Sequence, residues 1–303
     1  MSSSSKDYRR GILCMSLAMM LFLINDSMVK LVTARAPADQ IIFCRGAFVA
    51  GFILVWLAAA RPHVFRYLAH PGMIRAGQRG MLDAVSSFSF VGSLFFLPLP
   101  NATAINLSGP LILTTLAILF LGEKVAWRHY AAILVGLFGV VLIIQPSGEA
   151  FNWFSLLALF GTMCTAVRDA ITRSIGMQIP ALLLTLATGV ATAGVAGISG
   201  LWRGWPPMAL QDIAILGAAS LFIIAGQQFT IHALRIAEAS VVAPFRYTSI
   251  LWSMLFGYIL WGDLPNPLAG AGIVVVVSSG LYLLHREQKR RRLAAETAAA
   301  TPI

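Results

Sequence analysis

Six ionisable residues stand inside long apolar runs of the chain: Asp26, Arg45, Asp83, Arg168, Asp169 and Arg246. Three acids balance three bases. If the runs cross a bilayer, a charge at the centre of a helix costs at least about 2.5–3.5 kcal/mol, so each must face protein or water and meet an opposite charge. The chemistry open to such groups is binding. An arginine takes a carboxylate; an aspartate takes an ammonium, a sulfonium or a proton. The competing reading is structural, with the charges satisfying one another, and it applies first to Arg45 and Arg168.

Other polar and aromatic residues fall within reach of these six. Tyr247 follows Arg246, and Pro244 precedes it. Thr165, Arg168, Asp169 and Thr172 share one helical face, as do Asp83, Ser86, Ser87 and Phe90. Gln227 and Thr230 form a polar strip on a later run, beside Gln228 and His232. Asn106 and Ser108 stand in another, either as donors to a ligand or as glue between helices. Phe22, Phe90, Tyr247 and Trp252 have the types to line an apolar, aromatic cavity, or simply to pack. Arg246, Tyr247, Asp26, Asp169, Arg168, Asn106, Phe90, Gln227 and Trp252 are the candidate binding residues, with Arg45 and Asp83 as gating or ion-pair residues.

The elements that must position them are helices in a membrane. The chain has 303 residues, 58% of them hydrophobic and only 11% charged, with a mean hydropathy of +0.80. Soluble domains carry about 25% charged residues. Apolar runs at about 11–32, 40–60, 79–97, 101–121, 128–145, 152–175, 181–201, 211–234, 239–261 and 267–285 have lengths close to the roughly 20 residues of a bilayer span. Sixteen of the 22 Lys and Arg fall on the N-terminal side of these runs and three on the other. The positive-inside rule then puts both termini in the cytoplasm. The net charge of +10 is therefore topological and implies no nucleic acid. The basic start is read as leading into a retained first span rather than a cleaved signal. On this orientation Asp26 and Arg45 form an outer pair, and Asp83, Arg168, Asp169 and Arg246 an inner cluster. The stretch 61–78 is the one long link. Residues 1–10 are a cytoplasmic tail and 286–303 a basic, disordered one.

The ten runs divide into two halves, 11–145 and 146–285. LSGPLILTTLAILFLGEK (107–124) matches YTSILWSMLFGYILWGDL (247–264), and Asn25-Asp26 with Lys30 matches Arg168-Asp169 with Arg173. Five runs per half is odd, so the second half enters the membrane inverted. Inverted repeats put a site at their interface near the midplane. Gly136, Gly139, Gly189, Gly194, Gly197 and Gly200 suggest close helix packing, and Pro110 a kink whose neighbours re-satisfy the backbone. Cys14, Cys44 and Cys164 lie in apolar runs without a CxxC spacing and are read as buried hydrophobes. No GxxxxGK[ST], GxSxG or HExxH motif and no acidic metal cluster is present, so neither an ATP motor nor a soluble catalytic module is expected, and no cofactor.

Two five-span halves, each with a fourth span ending in LFLGEK (119–124) or ILWGDL (259–264), resemble the drug/metabolite transporter superfamily with paired EamA domains. Asn25, Asp26 and Lys30, the stretch Phe43 to Phe48, and Ala243 to Tyr247 resemble the branch that includes the bacterial S-adenosylmethionine uptake transporter. The chain departs from the pattern at Arg168, where an apolar residue is more usual, and at Asp263 in place of Glu. The resemblance implies an all-α polytopic protein of the bacterial inner membrane, ten transmembrane helices as two inverted five-helix repeats, monomer or homodimer. It implies secondary transport of a small organic metabolite, amino-acid-like or S-adenosylmethionine-like, by alternating access with proton or ion coupling. Export of amino acids, riboflavin-like or other aromatic metabolites is the alternative. A lipid-modifying intramembrane enzyme would need a nucleophile or metal set that the sequence lacks.

Overall fold

A computed structural model describes residues 5–109, 111, 112, 127–145, 152–175, 179–236 and 243–300. The described residues are helical, without strands. In chain order they form α1 (Ser5–Val32), α2 (Ala38–Ala60), a 3₁₀ helix (Pro62–Ala69), α3 (Gly72–Leu94), α4 (Leu99–Asn106), α5 (Trp127–Ile144), α6 (Phe154–Ile175), α7 (Ala181–Arg203), α8 (Leu210–Ile236), a 3₁₀ turn (Ala243–Tyr247), α9 (Thr248–Trp261) and α10 (Pro267–Ala300). Each expected apolar run therefore coincides with part of a helix. Among the described residues, four stretches, Arg9–Val32, Ala38–Ala60, Ala181–Trp202 and Leu210–Thr230, are both long and apolar enough to cross a membrane.

Three boundaries differ from the sequence reading, each for a local reason. The expected link 61–78 is mostly helical: the 3₁₀ segment starts at Pro62, and α3 begins at Gly72, so Arg75 and Arg79 belong to the helix. The run 239–261 is not one regular helix. Its first described part is the 3₁₀ turn carrying Pro244, which has no N–H to give to an α-helical ladder, and α9 starts at Thr248. The tail after 285 is helical to Ala300 rather than disordered. Its RRRLAAETAAA stretch is rich in Ala, Arg and Leu, the strongest helix formers. Pro110, Glu123 and Lys124 lie outside the described residues.

Helices before residue 146 pack against helices after it. α1 lies on α8 and α9, α2 on α7 and α8, α3 on α6 and α7, α4 on α6 and α9, and α5 on α10. Small residues set the closest approaches. A Cβ on Gly46 of α2 would stand 2.8 Å from the Ala193 nitrogen and 2.9 Å from the Gly189 carbonyl of α7; one on Gly189 would stand 3.0 Å from the Ala50 nitrogen. Gly139 of α5 and Gly272 of α10 meet backbone to backbone in the same way. Gly194 meets nothing within 4 Å, so the glycine stripe of α7 is only partly an interface. Hydroxyls add to α3–α6: Ser86 donates to the Gly161 carbonyl at 2.9 Å and lies 2.6 Å from the Thr165 hydroxyl.

The core runs through this interface, with Ile41, Ile42, Val91, Leu94, Ile105, Leu111 and Leu216 buried. The perimeter is apolar as well. Val55, Trp56, Leu134, Phe138, Trp153, Ile198, Leu201, Trp202 and Ile259 are exposed, the arrangement of a bundle surrounded by hydrocarbon rather than water.

Candidate functional site

Arg45 is the most enclosed of the expected charges among the described side chains. It sits on α2, is 8% exposed, and donates to the Ser87 hydroxyl of α3 at 3.2 Å. Its charge partners are Asp26 on α1 and Asp83 on α3. Asp83, at the midpoint of α3, is taken in turn by Arg168 of α6, with which it forms an ion pair. The four residues thus make a row of alternating sign, Asp26, Arg45, Asp83, Arg168. The row crosses from α1 through α2 and α3 to α6.

Burial makes each member dependent on its neighbours. A guanidinium or carboxylate withdrawn from water is tolerated only where opposite charges and hydrogen bonds replace the solvent. At the α1 end of the row, Asn25 is 1% exposed and donates through Nδ2 to Asp26 at 2.9 Å. The Asn25 carbonyl oxygen and the Ser27 hydroxyl find no partner among the described residues.

The expected outer pair is part of this row: Asp26 and Arg45 interact electrostatically, but no Asp26–Arg45 contact within 4 Å occurs among the described side chains. The expected inner cluster divides. Asp83 and Arg168 meet, whereas Arg246 does not join them. It is exposed on the 3₁₀ turn, which packs against α1, α9 and α10 rather than against α3 or α6. The break at 243–247 is the physical reason, because it turns residue 246 off the path a continuous helix would follow. Asp83 also lies deeper than its apolar run suggested, since α3 starts at Gly72. The side chain of Asp169 is outside the described residues.

Tyr247 is 6% exposed, and its hydroxyl has no partner among the described residues. Its ring fits where Gly280 of α10 has no side chain. It lines a cavity of about 350 Å³ between the 3₁₀ turn, α9 and α10, with Phe245, Thr248, Ile250, Leu251, Val277 and Leu281. That cavity is almost wholly apolar and is not at the charge row. Trp252 and Phe22 pack with Phe229 and Phe245 around Met15, Met19 and Ala233, and the Trp252 indole nitrogen has no partner among the described residues. Phe90 packs on the main core. Gln227 accepts from Thr185 of α7 at 2.5 Å, a contact between helices. Asn106 is exposed at the end of α4.

Sequence reading did not find the contacts at one end of the bundle, where the links 33–37, 95–98, 204–209 and 262–266 lie. Lys30 pairs with Asp263 at 3.1 Å and lies 4.7 Å over the Trp261 ring. Arg35 pairs with Asp212 at 2.7 Å, and that hydrogen bond raises the guanidinium pKa above its ordinary value. Trp205 and Ser199 both donate to Asp39, at 3.0 and 2.7 Å. The only signal was that Lys30 and Asp263 are oppositely charged residues at the same expected membrane face. Their separation of 233 residues conceals the contact.

Residues 9–145 match the EamA-like transporter family. The chain is 24% identical over 299 residues to the S-adenosylmethionine uptake transporter of Rickettsia prowazekii, covering 95% of this chain and 97% of that relative. It is 27% identical over 282 residues to the pseudopaline exporter of Pseudomonas aeruginosa, covering 91% and 96%. It is 26% identical over 291 residues to the riboflavin transporter of Rhizobium johnstonii, covering 93% of each. A solved crystal structure shares the fold with a TM-score of 0.62 at 16% identity, covering 93% of this chain and 98% of that one. The relatives are transporters rather than enzymes and align along nearly the whole chain. The chain thus carries a stretch similar to the EamA-like transporter family over residues 9–145 and resembles proteins named as transporters along nearly its whole length.

Proposed function

We propose that the protein is a secondary active transporter of the bacterial inner membrane, moving a small organic metabolite by alternating access between two inverted five-helix halves. The observation that carries this reading is the alternating row Asp26, Arg45, Asp83, Arg168 between the first helices of the two halves. Such a row keeps buried charges tolerable while empty, and a solute with a cationic and an anionic group can enter it by replacing one partner at a time. Asp26 takes the cationic group and Arg45 the anionic one, with Arg168 holding Asp83. The Asn25 carbonyl and Trp252 N–H, without partners among the described residues, offer further hydrogen bonds to cargo or water. Arg246, exposed on the 3₁₀ turn, makes first contact with the solute at one mouth of the path, and Tyr247 braces that turn from within.

The helix pairing supports the inverted repeat. Replacing each helix by the one five places along turns α1–α8 into α6–α3, α1–α9 into α6–α4 and α2–α8 into α7–α3. It leaves α2–α7, α4–α9 and α5–α10 as they are. Every pair produced is one that packs. This is the pattern of two halves related by a two-fold axis, the architecture in which rocking exchanges the open side. Relatives named for uptake and for export fit one such path used in either direction.

The test is solute accumulation in proteoliposomes against a metabolite panel containing zwitterions, simple cations and neutral ring compounds. Zwitterion flux that is lost in Arg45→Ala and Asp26→Ala is expected. Flux of neutral compounds alone, indifferent to both substitutions, overturns the assignment.

A further inference from the structure

Polar contacts cross between residues 1–145 and residues 146–285 at several depths, at Arg79–Thr188, Asp83–Arg168 and Ser86–Gly161 among others, and one group of them lies at the end of the bundle where Lys30 meets Asp263. Besides that pair, Arg35 holds Asp212 at 2.7 Å, Gln40 donates to the Pro206 carbonyl at 2.9 Å, Trp205 donates to Asp39 at 3.0 Å, and Gln145 donates to Asn266 at 2.9 Å. Among these the Lys30–Asp263 pair differs in what lies beneath it. Lys30 and Asp26 are four residues apart on α1, one turn and about 6 Å along the axis, on the same face. Lys30 therefore stands on the same helix face as the carboxylate at the head of the charge row, one turn closer to the end of the bundle.

The pair is built rather than incidental. Lys30 is 11% and Asp263 31% exposed, so the contact is largely shielded from water. Trp261 adds its ring face to the ammonium, a contact that strengthens as the cation is desolvated. Asp263 is positioned by the end of α9. Gly262 takes a left-handed φ of 70°, and the N–H groups of Gly262 and Asp263 bond back to the Tyr258 and Gly257 carbonyls at 3.0 and 3.1 Å. Below it, Gly257 packs on Pro100 of α4. The pair thus ties α1 to the end of α9, which itself packs on α4. In the sequence, the corresponding positions of the other repeat, Arg173 and Glu123, also carry opposite charges; the Arg173 side chain and residue 123 lie outside what is described.

We propose that Lys30 and Asp263 are the gate at this end of the path, and that a cationic group of the solute on Asp26 closes it. A bare Asp26 carboxylate competes with Asp263 for the Lys30 ammonium and weakens the tie. A cation on Asp26 cancels that competition and leaves Lys30 to Asp263. Loading the site thereby seals the end through which the solute came and commits it to the other. The inference rests on the transporter reading above, but its test needs no solute, so the two fail separately.

The test is the labelling rate of a cysteine at position 27, one turn below Lys30, in a background lacking Cys14, Cys44 and Cys164. An impermeant maleimide is applied to each side of the membrane in turn. K30M and D263N should each raise labelling from the gate side several-fold, and K30D/D263K should return it toward the parent value. D26N, which removes the competing charge, should lower it. D263N alters only a partly buried residue beyond the helix end and keeps its shape, so it answers even if K30M fails to fold. Unchanged labelling in D263N, or a fall in thermal stability without a change in labelling, makes the pair a structural tie and overturns the gate. Labelling in D26N that equals or exceeds the parent overturns the coupling to cargo.

Discussion

At the scale of single residues, the charges divide by what would happen if one were removed. Asp83 and Arg168 are each other's direct partners between α3 and α6, both mostly buried. Removing one partner of a buried pair leaves an uncompensated charge at a cost of about 3–5 kcal/mol. Arg168→Met alone should therefore lower the thermal unfolding temperature in detergent, and Asp83→Leu with Arg168→Met should recover most of the loss. If the double variant is as unstable as the single one, the pair is not what holds these residues. Arg246 sits at the other extreme. Because it is exposed, Arg246→Ala should insert and fold like the parent, so any loss of flux belongs to transport rather than to folding. Full activity in that variant would remove Arg246 from the path.

At the scale of the helix pair, the decisive residues are those with no side chain. Gly46 and Gly189 let the α2 and α7 backbones touch, whereas Gly194 on α7 faces open space. Overpacking a tight contact costs about 1–3 kcal/mol and more where backbone is the obstacle. Gly189→Leu should therefore abolish monodisperse protein on size-exclusion chromatography, while Gly194→Leu, a larger residue on the same helix, should leave the elution profile unchanged. Equal damage from both would mean that helix propensity, not packing, governs α7. Gly262 is a different case, required by backbone conformation. A left-handed residue with a Cβ costs about 1–2 kcal/mol, and Gly262→Ala is expected to raise labelling at position 27, as D263N does, by moving Asp263.

At the scale of the whole molecule, the proposed inversion makes a topological prediction. The basic residues place both termini in the cytoplasm and the link 146–151 outside. Reporter fusions after Ile303 and within 146–151 should report opposite sides. The same side for both would leave an even number of crossings in the second half and end the five-plus-five reading, whatever the helix pairing.

Composition and periodicity were enough to identify a helical membrane protein, because a bilayer demands long apolar runs and local hydrogen bonding, and both are local properties of the chain. They also singled out Asp26, Arg45, Asp83 and Arg168, since a charge in an apolar run is conspicuous wherever it lands. Partnership was legible only as groupings, with Asp83 and Arg168 expected in one cluster, and not as pairs. Arg45 on Ser87, Arg168 on Asp83 and Lys30 on Asp263 join residues 42, 85 and 233 positions apart, and nothing in local sequence encodes which helix a face will meet. Helix continuity was only partly legible. Pro244 marked a disturbance, but a proline permits either a kink or a break, and the 3₁₀ turn that carries Arg246 away from Asp83 is decided by packing against α1, α9 and α10. The sequence by itself determined the solvent the chain lives in and the charges it must satisfy there. Only the tertiary structure decided which charge answers which, because electrostatic compensation depends on distance through space rather than along the chain.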